Sequence, residues 1–198
     1  YNLANLFKYE YDVICVHGGL NQSKNKVLFK SYNIKNLNFI TFNLFHSFRT
    51  NNLILRFFFE ISLSLSLAIK IIYNFKKFKN VDFIIWYGPS SYLWFPAIFL
   101  KTISKSKLYY ILRDIFPDWL EQVGLIKNKL ILKFLTFTSY PQYIIPDIIG
   151  VENPESKKHI AKFVNEKKII IETLFNWPSL DSNIQKKNRL SFELKKKI

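Results

Sequence analysis

The chain has little of the residues on which several kinds of protein site depend. Its 198 residues include no methionine, one cysteine, three histidines and five glycines. The single cysteine, Cys15, excludes an internal disulfide framework and a site built from several thiolates, and its apolar surroundings favour a buried thiol in a reducing compartment. His46 and His159 have no partners at metal-ligand spacing, so the sequence predicts no metal site.

Several well-known catalytic and nucleotide-binding signatures are also missing. The sequence contains no Walker loop, no GxGxxG fingerprint, no Ser-His-Asp order and no carboxylate pair spaced for general acid–base catalysis. No signal peptide is visible, and position 1 is not methionine. We therefore expect the chain to be an internal piece of a longer protein.

Acidic residues are scarce relative to basic ones. The chain has 29 Lys and Arg against 14 Asp and Glu, which gives a net charge of +15. This excess fits solvated faces, an anionic membrane surface as partner, or nucleic acid. The aromatic residues lie in apolar runs instead of alternating with Lys and Arg, as a base-stacking strand would require, so we predict no nucleic-acid partner. An anionic membrane surface therefore remains a candidate partner.

The pattern of apolar residues predicts an α/β fold. A hydrophobic content of 49% is enough for one substantial core. Short apolar runs alternate with longer helical patterns, which is typical of βαβ units, so we predict a doubly wound, mostly parallel Rossmann-like sheet with helices on both faces. The domain is predicted to cover residues 1–180, followed by a Lys-rich linker at 181–198. Predicted strands cover residues 12–16, 37–41, 82–86, 108–112, 147–151 and 168–173, and predicted helices cover 1–9, 53–76, 91–103, 127–140 and 154–165.

Residues 53–73 form the longest apolar stretch and allow three interpretations. At 21 residues the stretch approaches the length of a membrane span. However, Arg56, Glu60, Lys70 and Asn74 lie within one narrow stripe of a helix, and Arg56 and Glu60 are i,i+4 partners. A buried crossover helix, an interfacial membrane helix and a spanning helix are the alternatives, and the one-sided polar stripe favours the first.

Two polar turns follow consecutive predicted strands. The strand at 108–112 ends in the charged pair Arg113 and Asp114, and Pro117 then begins a short helix. After the preceding strand comes a tight turn whose free backbone N–H groups, at the start of a helix, suit a phosphate or a sugar hydroxyl. Taken alone, this turn fits an ordinary strand-to-helix cap better. Because ligands bind at the carboxyl edge of open parallel sheets, both turns are expected to open onto one cleft. The residues of the tight turn are Gly88, Pro89, Ser90 and Ser91.

Other candidate residues surround these turns. His17, followed by Gly18 and Gly19, ends the first predicted strand and is a candidate for lining the cleft, although an ordinary turn after the strand fits it better. Aromatic side chains stack well on sugars and lipid-linked acceptors, but core packing is the favoured interpretation of the aromatic candidates as a group. Asp118 and Glu121 fit the start of the helix after Pro117, where the helix dipole favours carboxylates. The aromatic candidates are Tyr92, Trp94, Phe95 and Trp119, of which Trp119 is the favoured substrate contact.

These motifs resemble a known enzyme family. Arg113-Asp-Ile-Phe-Pro-Asp118, with Gly124-Leu125, is similar to the central signature of family 4 glycosyltransferases, especially those that build bacterial surface polysaccharides such as O-antigen and capsule. Phe175-Asn-Trp-Pro-Ser-Leu-Asp181 resembles the run that closes the first domain of that family. The strand and turn at residues 81–91 are also similar, and the resemblance extends over about residues 1–181.

The resemblance implies a GT-B architecture of two facing Rossmann-like domains. This chain would be the amino-terminal, acceptor-side half, with the first strand before Tyr1 and the donor-binding domain after Ile198. A nucleotide-sugar would serve as donor substrate, with no separate cofactor. The acceptor would be a lipid-linked or polysaccharide molecule, and the protein would be cytoplasmic and peripheral to the inner face of the cell membrane.

The same resemblance implies how the site residues act. Arg113 or Asp114 takes the position of a cleft residue that contacts the donor sugar in many relatives. The retaining reaction is usually drawn as a same-face displacement in which the leaving diphosphate helps to deprotonate the acceptor. Positioning and electrostatic stabilisation, and no protein nucleophile, are therefore expected. The competing interpretation is a basic, membrane-binding α/β module without catalysis.

Overall fold

The computed structural model describes residues 12–20, 29–34, 37–44, 52–88 and 91–174, and within these it contains seven strands and seven α-helices. The alternation of strands and helices confirms the predicted α/β class. The predicted helix at residues 1–9 and the linker at 181–198 lie outside the described residues. The strands are β1 (Ile14–Leu20), β2 (Phe29–Ile34), β3 (Leu37–Leu44), β4 (Phe83–Tyr87), β5 (Lys107–Leu112), β6 (Ile148–Val151) and β7 (Ile170–Thr173). The helices are α1 (Leu53–Tyr73), α2 (Phe75–Phe78), α3 (Trp94–Ser104), α4 (Asp118–Gln122), α5 (Lys129–Ser139), α6 (Pro141–Ile144) and α7 (Pro154–Ile160), and a 3-10 turn spans Ser91–Leu93.

The first three strands form a small sheet of their own. Its order is β1-β3-β2, with β1 parallel and β2 antiparallel to β3. We predicted β1 and β3 but not β2, because the polar residues within Phe29–Ile34 hide the apolar alternation that marks a strand. The prediction of one continuous sheet is wrong for the described residues, since these strands and the later four form two separate sheets.

The other four strands form an open, entirely parallel sheet in the order β4-β5-β6-β7. The register places Ile84 beside Leu108 and Tyr110 beside Ile149. Alternate side chains therefore fall on one face, and Leu108 and Ile149 are fully buried there. This sheet is the predicted Rossmann-like parallel sheet. Its buried face consists of Ile84, Trp86, Leu108, Tyr110, Leu112, Ile149, Val151 and Ile171.

The two faces of the four-stranded sheet differ. Helices α3, α6 and α7 pack on the buried face. On the opposite face, Phe83, Ile85 and Ile170 are 48%, 38% and 60% exposed. The predicted helices on both faces are thus not found within the described residues. The strand order gives the reason. The strands follow one another across the sheet in chain order, and right-handed connections between parallel strands that advance in one direction all lie on the same face.

Helix α1 packs on α3 through small side chains. Asn52 caps it by accepting hydrogen bonds from the backbone N–H groups of Ile54 and Leu55. The buried face of α1 contains Ser64 and Ala68, and small residues there allow the two helices to approach closely. None of the helices in the described ranges is long and apolar enough to cross a bilayer. The predicted i,i+4 pair is confirmed, with Arg56 Nε 3.1 Å from Glu60 Oε1.

Asp147 ties the start of β6 to its neighbours. Its carboxylate accepts a hydrogen bond from the Leu108 backbone N–H at 2.9 Å and lies 2.9 Å from Lys101 Nζ. Partial burial opposes ionisation of this carboxyl, but the Leu108 N–H and the two lysines Lys101 and Lys107 outweigh it and hold the pKa of Asp147 below its usual value. Lys107 itself is mostly exposed and adds little.

Replacing Asp147 with Asn is expected to lower the free energy of unfolding by roughly 1–3 kcal/mol at neutral pH, because hydrogen bonds to charged groups of this kind contribute that much. Because the pKa of the Asp147 carboxyl is lower in the folded protein than in the unfolded chain, where it is near 3.9, its ionised form stabilises the fold above that pH. This stabilisation is lost as the pH falls through the pKa of the folded state. The difference between wild type and variant should therefore shrink below about pH 4. Urea unfolding at neutral and acid pH measures it, with the exposed Asp82→Asn as control. A difference that persists unchanged in acid would contradict the role of the charge.

Tyr109 spans three strands on the exposed face. Its hydroxyl donates a hydrogen bond to Glu172 at 2.5 Å, so the ring of a β5 residue reaches across β6 to β7. Desolvation, followed by the Glu172 carboxylate, raises the pKa of Tyr109. The ring passes directly over Gly150, where an added Cβ would lie 2.9 Å from the Tyr109 ring atoms Cε1 and Cζ. Glycine at position 150 is what lets the ring lie there.

Candidate functional site

The carboxyl ends of β4, β5 and β6 meet at one edge of the parallel sheet, and polar side chains follow each of them. Tyr87 ends β4, Arg113 follows β5 and Glu152 follows β6. Alternation along the strands puts these three positions on the same side as the exposed sheet face. The local sequence therefore brings a cation, a carboxylate and a phenol together at the edge where open α/β sheets bind ligands.

Arg113 joins the three strands. Its Nε lies 2.5 Å from Glu152 Oε1, and its Nη1 donates a hydrogen bond to the Tyr87 hydroxyl at 2.7 Å. The guanidinium carbon also lies 5.9 Å from the centroid of the Tyr87 ring, within cation–π range. The Tyr87 hydrogen bond and the Glu152 carboxylate raise the pKa of Arg113. Arg113 is thus a fixed positive charge, with 37% of its side chain exposed.

Asp114 is exposed beside this cluster, and no described residue donates a hydrogen bond to it. Arg113 forms its ion pair with Glu152 and not with Asp114. Asp114 does not cap the following helix either, because the N-cap of α4 is Pro117 and no side chain caps that helix end. The sequence predicted Arg113 and Asp114 as neighbours in a site. The contact of Arg113 with Glu152 was not predicted, since the two residues are brought together only by strand pairing.

The predicted tight turn begins at the same edge. The backbone N–H of Gly88 donates to the Ile111 carbonyl at 3.1 Å, and a Cβ at Gly88 would lie 3.2 Å from that oxygen. This close approach to the end of β5 favours glycine. Ser91 is buried where the 3-10 turn starts. Pro89 and Ser90 lie outside the described residues, so two of the four predicted residues can be placed.

Of the four aromatic candidates, Tyr92 is buried and Trp94 packs partly buried against the core, while Phe95 is partly buried. Tyr92 is 4% exposed and its ring contacts Phe57 and Phe116, and burial raises the pKa of Tyr92 to about 12. The Trp94 indole N–H donates to the Thr138 carbonyl at 3.2 Å. These contacts support packing instead of a cleft wall. Trp119 is half-buried in α4. His17 lies in β1 of the smaller sheet, and its side chain is outside the described residues.

A second close contact between polar side chains lies between the helices that follow β5 and β6. His159 Nε2 in α7 is 2.7 Å from Asp118 Oδ2 in α4. Both line an open pocket of about 230 Å³, together with Ile115, Gln122, Glu155 and Ser156. We gave His159 no role and read Asp118 as a helix-start carboxylate. No sequence signal links two residues on separate helices, 41 positions apart. Among the described residues, no group of three or more His, Cys, Asp or Glu side chains is arranged to hold a metal ion.

Comparisons of the chain with known proteins identified no relative. No family model, no curated protein and no solved structure matches the chain. The functional interpretation therefore depends on the geometry at the carboxyl edge of the sheet and on the motif that contains Arg113 and Asp114.

Proposed function

We propose that this chain is the acceptor-side part of a retaining glycosyltransferase. In this proposal it helps to move a sugar from a nucleotide-sugar to a lipid-linked or saccharide acceptor during synthesis of a cell-surface polysaccharide. The donor-binding half would be supplied by sequence beyond Ile198. The motif Arg113-Asp-Ile-Phe-Pro-Asp118 is the sequence feature behind the proposal.

One observation supports it most directly. Arg113 is fixed at the carboxyl edge by partners from both neighbouring strands, while the adjacent Asp114 is exposed and has no hydrogen-bond donor among the described residues. A charged residue that neither caps a helix nor packs in the core, at the edge where such sheets bind ligands, is a candidate for contact with substrate.

The chemistry available to these two side chains matches sugar transfer from a diphosphate. The Arg113 guanidinium is permanently charged and offers N–H donors to phosphate oxygens, and no described residue accepts a hydrogen bond from its Nη2. An ionised carboxylate accepts hydrogen bonds from sugar hydroxyls, which is the role proposed for Asp114. Neither residue acts as a nucleophile, so catalysis would come from orientation and electrostatic stabilisation.

Expression of the complete reading frame around this chain tests the proposal. We expect the whole protein, given a panel of radiolabelled nucleotide-sugars and a lipid extract of the source cells, to transfer label to a lipid or saccharide product. The 198-residue chain alone is expected to transfer none, because the donor half would be missing. Transfer by the chain alone would refute the two-domain proposal, and no transfer by the whole protein from any donor would refute the activity.

A membrane-binding module without catalysis is the competing proposal. Exposed apolar side chains on α1 and α5 favour a membrane partner. They do not exclude an enzyme, because an acceptor carried by a lipid has to be reached at the membrane. The two proposals differ at Asp114, whose charge matters for sugar transfer and is irrelevant to binding a bilayer.

A further inference from the structure

Helix α5 has apolar side chains on two opposite sides. Leu132 and Leu135 are buried against the rest of the protein. Leu130, Phe134 and Phe137 follow the i, i+4, i+7 spacing of a single stripe and are 77%, 53% and 79% exposed. A surface helix of a soluble protein normally turns polar residues outward, so the outer stripe of α5 is unusual.

The start of α1 extends this apolar surface. The Phe57 ring lies 5.8 Å from that of Phe134 and 5.6 Å from that of Phe58, so it joins the two helices. Ile54 and Phe58 are 67% and 61% exposed. We call the set Ile54, Phe58, Leu130, Phe134 and Phe137 the α1–α5 patch. It shares no residue with the cluster around Arg113.

Positive charge accompanies the patch. Between Glu121 and Asp147 the sequence contains three lysines, Lys127, Lys129 and Lys133, and no acidic residue. All three lysines are exposed, and none forms an ion pair within the described ranges. The segment around α5 therefore carries three positive charges without ion-pair partners among the described residues, and no negative charge of its own.

We propose that the α1–α5 patch binds the surface of an anionic lipid bilayer, with its apolar side chains entering the boundary of the acyl chains and the three lysines contacting the headgroups. Large apolar side chains next to lysines are the combination that interfacial helices use. A second copy of the chain fits less well, because a two-fold contact would bring two sets of these lysines together. The binding does not depend on the transferase proposal.

Vesicle flotation tests the proposal on the 198-residue chain. We expect the chain to float with vesicles that contain phosphatidylglycerol and to bind phosphatidylcholine vesicles much less. Binding should weaken as salt rises, because screening sets in beyond about 8 Å at physiological ionic strength. Equal binding to both kinds of vesicle would overturn the proposed role of the lysines.

Two pairs of variants test whether binding depends on the α1–α5 patch itself. One pair controls for exposed apolar side chains elsewhere, and the other controls for net charge. The double variant Leu130→Ser, Phe137→Ser should lower the bound fraction by about tenfold or more, since both side chains provide the burial. Ile170→Ser, at an exposed apolar residue on the opposite side of the main sheet, should change it little. Lys129→Glu with Lys133→Glu should reduce binding strongly, whereas Lys167→Glu with Lys168→Glu makes the same change in net charge and should reduce it much less.

All of these positions are exposed, so the substitutions should leave the protein folded, and circular dichroism should confirm this. A loss of binding can then be told apart from a loss of folding. Equal loss of binding in the patch and control variants would overturn the proposal. A dimer would also overturn it, if sedimentation showed that the chain forms a stable dimer and that the Leu130→Ser, Phe137→Ser variant is a monomer. A second copy of the chain would then cover the patch. Failure of sugar transfer with intact flotation would count against the transferase alone.

Discussion

Under the proposed function, replacing Asp114 with Asn is expected to lower sugar transfer by on the order of a hundredfold, the loss that follows removal of one preorganised electrostatic contact. Asparagine keeps the shape of the side chain and removes its charge. The melting temperature should change little, because the carboxylate is exposed and no described residue donates a hydrogen bond to it. Turnover and thermal unfolding measured on one preparation test both halves of this expectation.

The control for this variant is Asp82→Asn. Asp82 is also an exposed aspartate beside the main sheet, but it precedes β4 and so lies at the amino edge, away from the candidate site. We expect it to leave turnover unchanged. If Asp114→Asn lowered stability and kept normal turnover, the carboxylate would have a structural role and would be removed from the site. An equal loss of turnover in both variants would point to overall charge.

Leu108→Ala is expected to produce the largest loss of stability, about 2–5 kcal/mol, because it removes a fully buried side chain from the middle of the core and leaves a cavity. Domains of this kind have a total stability of about 5–15 kcal/mol, so the variant should unfold at much lower denaturant concentration. Urea unfolding followed by circular dichroism measures the effect.

Ile170→Ala is the matched control for this substitution. It also shortens an apolar side chain of the four-stranded sheet, but on the exposed face, and should cost less than about 1 kcal/mol. A loss at Ile170 as large as that at Leu108 would mean that this face is buried in solution, and the description of a sheet with one buried face would have to be abandoned.

The sequence predicted the central part of the fold well because that part follows local rules. Helix α1 begins at Leu53 as predicted, after a capping residue, and the four strands of the main sheet fall within two residues of their predicted starts. Two features could not be predicted. Strand β2 depends on pairing with β3 and has little apolar periodicity of its own, and the coverage of each sheet face depends on the order in which the strands pair.

The candidate site was predicted in part for the same reason. Arg113 and Asp114 stand out because charges directly after an apolar run are unusual. Glu152 and Tyr87 look ordinary in sequence, and only the register of β4, β5 and β6 brings them to Arg113. The Asp118–His159 pair likewise depends on how α4 and α7 are placed after their strands.

The ring of Tyr109 lying over Gly150 also has an evolutionary consequence. A side chain at position 150 would collide with the Tyr109 ring where it now lies, so position 150 cannot gain a side chain while that ring keeps its place. Selection would act on the pair, with a larger residue on β6 accepted only after a smaller one has appeared on β5. Since the Tyr109 hydroxyl also holds Glu172, losing the tyrosine would release β7 from a tie to the sheet centre. The shortest mutational path away from this arrangement therefore passes through a less stable intermediate.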